Sequence, residues 1–317
     1  FNIDGFSKQY YGKVYFSDTT QTASAGWVEV YDRATKKKLI HVDADELSFD
    51  LYDNPQKAYI TKIPYEEQSA ILYKDFNFDG VKDFAIIDGF RNWTLGHSFK
   101  IFLASSKRFV FSDSFTELTQ DNQGMFTVNA INKTISTKSK IGDTWYQYSD
   151  YIVENNKPKL IRRHTDDYEH APFYRETIEE LKGNKMVKTT RSSLALERYH
   201  IEECFKFHVD KVNKDIILCN FYDDRLYYVI LDAKQNVEFY YPFEELRQTS
   251  DFIFYRKNGK LTFKNKDASY TIYDKSGNIG VDITYKGKTH RWKGNAKSRR
   301  GSIGKLLRSS LDNVVYQ

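Results

Sequence analysis

The run Asp75-Phe76-Asn77-Phe78-Asp79-Gly80-Val81-Lys82-Asp83 constrains this chain more than any other stretch. Oxygen-bearing side chains fall at its positions 1, 3 and 5, Gly80 stands at position 6 where the backbone must turn sharply, and Asp83 stands at position 9. That spacing aims Asp75, Asn77, Asp79 and the main-chain carbonyl of Val81 at one point, the oxygen coordination Ca2+ takes, with Asp83 as a near closing carboxylate. Position 12 is Ile86, where an EF-hand carries a bidentate glutamate, so the loop is of another kind. The apolar runs Ala70-Ile71-Leu72-Tyr73 and Phe84-Ala85-Ile86-Ile87 flank it and read as strands, with Phe76 and Phe78 packing inward between the oxygens. An Asp-Gly surface turn between two strands is the alternative reading.

The rest of the chain is patterned for sheets. Aromatic residues make up 16% of it, 24 Tyr and 23 Phe against 5 Pro and 2 Met, which suits pleated, half-buried surfaces. Short alternating runs recur every eight to twelve residues or so between Gly, Asn, Asp and Lys turns: Lys13 to Ser17, Trp27 to Tyr31, Lys38 to Val42, Leu47 to Leu51, Tyr59 to Ile63, then Ser98 to Ala104, Arg108 to Asp113, Met125 to Asn129, Lys133 to Ser139, Thr144 to Val153 and Lys157 to His164. Phe173 to Leu181 and Lys185 to Thr190 make a further hairpin, although Arg175 to Lys182 also fits a short helix. The polar stretch Thr189 to Ser193 divides a domain of residues 1–190 from a second meander of residues 191–317, in which Ser302 to Ser309 alone looks helical. The expected architecture is all-β, a propeller-like array of antiparallel hairpins, with a pair of packed sandwich or barrel modules as the alternative.

Charge and cysteine usage narrow the setting. A net charge of +5 from 48 basic and 43 acidic residues argues against a dedicated nucleic-acid binder. The basic excess gathers at Lys293, Lys297, Arg299, Arg300, Lys305 and Arg308, either a solvated segment or a surface for an acidic partner or anionic envelope polymer. No run reaches membrane-spanning length. Cys204 and Cys219 stand at equal distances from a polar turn near residues 211–214, so a hairpin would place them opposite each other within reach of a disulfide; two free core thiols are the alternative. A start at Phe1 without an initiator Met reads as a chain whose signal peptide has been removed, or as a trimmed one, and with a disulfide it points to export.

The segment from Asp75 to Gly89 resembles the core of a family of exported bacterial proteins that includes immunity proteins protecting cells with type IV secretion from antibacterial lysozyme-like effectors. The similarity extends through Lys100-Ile101-Phe102-Leu103, Arg108-Phe109-Val110-Phe111, Phe115-Thr116-Glu117-Leu118, Gly124-Met125-Phe126-Thr127-Val128 and a segment from Ser136 to Tyr151, covering roughly residues 69–165. It implies a periplasmic, propeller-like, calcium-binding protein that acts as a stoichiometric inhibitor of a peptidoglycan hydrolase. Where the family carries a Gly-rich stretch and a Ser-Gly-Cys-Cys-Trp element, this chain has Arg91 to His97 and Lys140 to Trp145, so the identity of the target enzyme would differ.

An enzyme would need a constellation, and GxSxG, HExxH, CxxC and GxGxxG are all absent. Gly301-Ser302-Ile303-Gly304-Lys305 lacks the first glycine of a phosphate loop. His200 and His208 are too far apart for a local metal pair, and Asp166-Asp167, Asp223-Asp224 and Glu202-Glu203 read as solvated turn residues. A binder fits better, since a calcium-stiffened scaffold lowers the ordering cost of presenting its loops. Trp93, His97, Lys140, Trp145, Tyr146 and Gln147 are the expected partner surface, core packing being the alternative for the aromatics. The expected partner is a cognate peptidoglycan-degrading toxin whose cleft the surface would cap; a calcium-stabilised envelope or adhesion module without an enzyme target is the other class.

Overall fold

The computed structural model describes residues 2–3, 5–21, 23–48, 60–63, 66–106, 108–169, 173–194, 204–221, 224–243, 250–275, 277–308 and 310–317. Among these, nearly every element is a strand, arranged as antiparallel meanders. The first sheet is β1 (Asn2–Ile3), β2 (Tyr10–Phe16), β3 (Ala23–Asp32) and β4 (Lys38–Ser48), followed by the hairpin β5 (Ile60–Ile63) and β6 (Glu66–Ser69). Then come β7 (Ile71–Lys74), β8 (Asp83–Asn92), β9 (Gly96–Ser105) and β10 (Arg108–Phe111), and the helix α1 (Asp113–Gln120). A six-stranded sheet is built from β11 (Thr127–Asn129), β12 (Thr134–Ile141), β13 (Trp145–Glu154), β14 (Lys157–Asp167), β15 (Phe173–Lys182) and β16 (Lys185–Leu194). A further four are β17 (Cys204–Val209), β18 (Lys214–Phe221), β19 (Arg225–Leu231) and β20 (Val237–Tyr241). The last sheet runs β21 (Phe252–Tyr255), β22 (Lys260–Asn265), β23 (Ala268–Lys275), β24 (Asn278–Tyr285) and β25 (Lys288–Lys293), with a four-residue helix α2 (Ile303–Leu306) before β26 (Val314–Tyr316), which pairs parallel to β21. Apart from the two-stranded β5–β6 hairpin and the return of β26 beside β21, strand neighbours follow chain order, four to six to a sheet, as in the meanders of propeller-like blades.

The alternation in sequence sets which face is buried. In β2, Tyr10, Gly12, Val14 and Phe16 do not share one chemistry, yet Tyr10, Val14 and Phe16 turn inward, while in β17 Phe205, Phe207 and Val209 are buried and Lys206 and His208 are half-buried on the other face. Two compact units result, one of residues 1–167 with 176–189 and one of residues 168–175 with 190–317. The division expected at residue 190 is thus crossed by a short segment around the start of β15. In the first unit Val28, Val30, Phe84, Ile86, Phe99, Ile101, Phe115 and Ile135 are among the side chains of one continuous core. In the second, Phe205, Phe207, Leu226, Tyr228, Phe252, Ile272 and Ile303 are among those of another.

The expected hairpin forms over β15 and β16, and of the two readings for residues 175–182 the strand holds, because β15 is flanked by β14 and β16 and turns back through Gly183 at φ +62°. One element differs from the sequence expectation. The eight-residue α1 has no counterpart in the strand rhythm. It buries Phe115, Thr116, Leu118 and Thr119, and its threonines complete β9: Thr116 Oγ1 accepts from the Ile101 amide at 3.0 Å and Thr119 Oγ1 from the Phe99 amide at 2.9 Å. Backbone donors of a strand are satisfied here by helix hydroxyls, which a propensity reading does not see. The strand expectations at residues 49–51 and 59 lie outside the described residues, as do Ser309, the carboxylates Glu202, Glu203 and Asp223, and His200.

Candidate functional site

The loop between β7 and β8 is wound around its own side-chain oxygens. Asp75 Oδ1 accepts from the Phe78 amide at 2.7 Å and Oδ2 from the Gly80 amide at 2.8 Å. Asn77 Oδ1 accepts from the Asp79 amide at 3.2 Å, and Asp79 Oδ1 from the Val81 amide at 2.7 Å. Gly80 sits at φ +89° and Phe78 at φ +64°, so two left-handed residues produce the curl that the DxNxDG spacing requires. Phe76, 1% exposed, anchors the loop edge-on against Phe126.

Asp83 is placed differently from the other oxygens. It opens β8, is fully buried, and spends both carboxylate oxygens on backbone amides, Oδ2 on Phe76 and Oδ1 on Ala104, each at 2.8 Å. Burial, with a smaller contribution from the charges of Asp79 and Asp75, raises its carboxyl to about 6 against the opposing pull of those two amides. The carboxylates of Asp75, Asp79 and Asp83 do not draw together as a group; among the described residues, three ligand atoms within 4.8 Å of one another occur at His164, Asp166 and Glu176. Asp83 thus ties the loop to the strands behind it through two amides, while Asp79 and Val81 are exposed and Asn77 is buried.

The loop is tied to a second turn. Asn77 Nδ2 donates to Asn156 Oδ1 at 3.0 Å, and Asn155 and Asn156, both at positive φ, form the turn between β13 and β14. β13 and β8 each have ten residues, so their far ends lie roughly 30 Å from the loop end. At those far ends sit the turn with Trp93, after β8, and the turn joining β12 to β13. Gln123 links them, its amide donating to the Lys138 carbonyl at 2.7 Å and its Nε2 to the Thr94 carbonyl at 2.7 Å.

The residues expected to face a partner divide accordingly. Trp93 is 87% exposed, with its ring edge-on to Phe90, and Ile141, the last residue of β12, is 68% exposed. Strand register pairs Lys140 with Tyr146 and Tyr146 with Asp166, placing all three on one face of the six-stranded sheet. Trp145, opposite Ile141 and Asp167, and Gln147, opposite Ser139 and Thr165, belong to the other face. His97 is not a surface residue: it is 5% exposed at the start of β9, packs on Phe90, and burial holds its imidazole below the usual range.

In the second unit, Cys204 and Cys219 are register partners across β17 and β18, as equal spacing from the turn requires. The disulfide expected between them is not formed in this structure; both are thiols. A hydrogen bond between the two side chains lowers the Cys204 thiol and raises that of Cys219, whose burial raises it further. Elsewhere in this unit a shallow cleft of about 470 Å³ is lined by Lys260, Lys275, Arg291 and Lys293 around Asp282 and Tyr273. Its cationic lining comes from β22 to β25, upstream of most of the basic run noted at the sequence level.

No family model and no curated protein matches the chain. Among solved structures, a Xanthomonas type IV secretion system related protein is similar at 20% identity and a TM-score of 0.45, covering 59% of this chain and 92% of that one. TolB from Acinetobacter baumannii (8% identity, TM-score 0.22, 92% of this chain and 65% of that one) and the WD40 domain of Toxoplasma gondii coronin (8%, 0.21, 90% and 68%) are more distant. At these TM-scores the likeness carries no argument about function, and the fold rests on its own strand pairing.

Proposed function

We propose that this chain is a periplasmic immunity protein that binds a peptidoglycan-degrading toxin, lysozyme-like or amidase, and occludes its active-site cleft, with Ca2+ ordering the scaffold. The observation that carries the reading is the β7–β8 loop, whose oxygens are already curled by main-chain amides and which is stapled through Asn77 to the β13–β14 turn. The donor set fits calcium in kind: Asp75, Asn77, Asp79 and the Val81 carbonyl are hard oxygen ligands, and the burden Asp75 and Asp79 place on Asp83 is the repulsion a divalent cation relieves. Calcium would supply no reaction chemistry here, only a cross-link across the loop.

The strands pinned at that end carry Trp93, Lys140 and Tyr146 at the other. A Trp 87% exposed at one turn, and a Lys–Tyr pair on the sheet whose β12 strand Gln123 ties to that turn, are the residue types of an interface hot spot. Such a patch suits a sugar-binding cleft, where aromatic rings replace stacked sugars and a lysine meets catalytic carboxylates. The test is inhibition. The chain bearing an affinity tag, incubated in calcium with the envelope fraction of its source cells, should retain a peptidoglycan hydrolase and suppress its lysis of cell walls. W93A with Y146A should abolish suppression while leaving the melting temperature unchanged. Retention of no hydrolase, or undiminished suppression by the double variant, refutes the reading.

The cationic cleft in the second unit favours the other class, an envelope module that holds an anionic wall polymer. In that case the chain sediments with cell-wall sacculi, and K260A with K275A releases it.

A further inference from the structure

We infer that His164, Asp166 and Glu176 form a second metal site, selective for a first-row divalent transition ion such as Zn2+ or Mn2+ and separate from the calcium loop. His164 and Asp166 stand two residues apart on β14 and so share a face, and Glu176 comes from the adjacent β15. His164 Nε2 lies 3.0 Å from Asp166 Oδ1 and 3.0 Å from Glu176 Oε1, and one ligand atom from each of the three lies within 4.8 Å of the others.

The geometry is that of ligands around one ion. A single ring nitrogen carries at most one proton and directs it at one acceptor, whereas here two carboxylate oxygens converge on it. Ligands at about 2.0–2.2 Å from a metal, at tetrahedral or octahedral angles, are separated by roughly 2.8–3.6 Å, the spacing these nitrogen–oxygen pairs already have. The cluster sets two carboxylates against one imidazole, the balance of anionic and neutral donors a divalent ion takes. Side-chain exposures of 22%, 18% and 9% for His164, Asp166 and Glu176 fix the ligands in place yet leave a way in for an ion.

The donor set decides the class. One imidazole with two carboxylates is softer than the all-oxygen cage calcium takes and suits Zn2+ or Mn2+, and three protein ligands leave a position open to water or to a donor from outside. The ring of Tyr148 lies 6.1 Å from that of His164, and Tyr146 is the register partner of Asp166. The site thus occupies the same sheet face as Lys140 and Tyr146, although it stands on its own geometry and not on the inhibitor reading.

Calorimetric titration of the full chain with ZnCl2 and, separately, MnCl2, in saturating calcium so that the β7–β8 loop is excluded from the signal, tests this. One ion should bind per chain, the melting temperature should rise, and both H164Q and D166N should weaken binding by about tenfold or more while melting normally without metal. Paramagnetic Mn2+ should also broaden the His164 imidazole resonances before those of any other histidine. The inference is overturned if neither ion binds at roughly 100 µM, or if whichever variant folds binds like the wild type, which would leave the cluster an ion-pair triad only.

Discussion

Replacing Asp83 by alanine separates the anchoring of the calcium loop from the binding of the ion. In the structure its two oxygens satisfy the amides of Phe76 and Ala104 at 2.8 Å, in a place where Asp83 itself is fully buried. Alanine leaves both donors without their partner, the Phe76 amide in a buried place and that of Ala104 in a half-buried one. At about 1–3 kcal/mol for each unsatisfied buried donor, the loss is about 2–6 kcal/mol in the absence of any metal. Asp79, exposed and accepting only the Val81 amide from the main chain, sets the comparison: D79A in chelator should cost no more than about 1 kcal/mol. Urea unfolding in chelator gives both values, and amide exchange at Phe76 and Ala104, accelerated in D83A but not in D79A, locates the damage. If D83A is no less stable than D79A under these conditions, the assignment of Asp83 as a structural anchor is wrong.

Three other outcomes follow from local chemistry. Burial pushes the Glu29 carboxyl up, but hydrogen bonds from Lys38, Tyr31 and His41 outweigh it and hold it at about 2. Because the folded value lies below the ordinary 4.5, the contribution is whole above about pH 4.5 and disappears as pH falls toward 2, so E29Q should flatten that acid limb of the stability curve. Gly301 has φ +67°, and a Cβ there would sit 2.1 Å from the Cys204 carbonyl oxygen, so G301A should lower the melting temperature of the second unit through a loss of at least about 1–3 kcal/mol. In the reduced protein Cys204 should be alkylated before the fully buried Cys219, and mild oxidation should protect both by closing the bridge their register permits; independent alkylation after oxidation would contradict that.

The fold was legible where a local rule fixed it. DxNxDG demanded left-handed residues at its bend, and Phe78 and Gly80 supply them; equal spacing from one turn put Cys204 opposite Cys219. The strand rhythm located most hairpins because turn residues and alternation are read from adjacent positions. What escaped depends on distant partners. The ninth position announces Asp83 as an oxygen of the loop but not that Ala104, 21 residues on, donates to it. His97 reads as a loop residue, but β9 begins at Gly96 and carries it into the core. The His164, Asp166 and Glu176 cluster left one trace, a histidine and an aspartate two apart on a strand; its third member is joined only by the β14 to β15 pairing, over a stretch whose Glu/Leu content also suited a helix.

Calcium titration of the chelator-treated chain, followed by calorimetry and by thermal melting, bears most directly on the scaffold described here. One ion should bind per chain, the first unit should melt at a higher temperature with calcium than without, and D79A should lose both effects while keeping its fold. A chain that takes up no calcium at about 1 mM and melts at the same temperature with and without it would contradict the account.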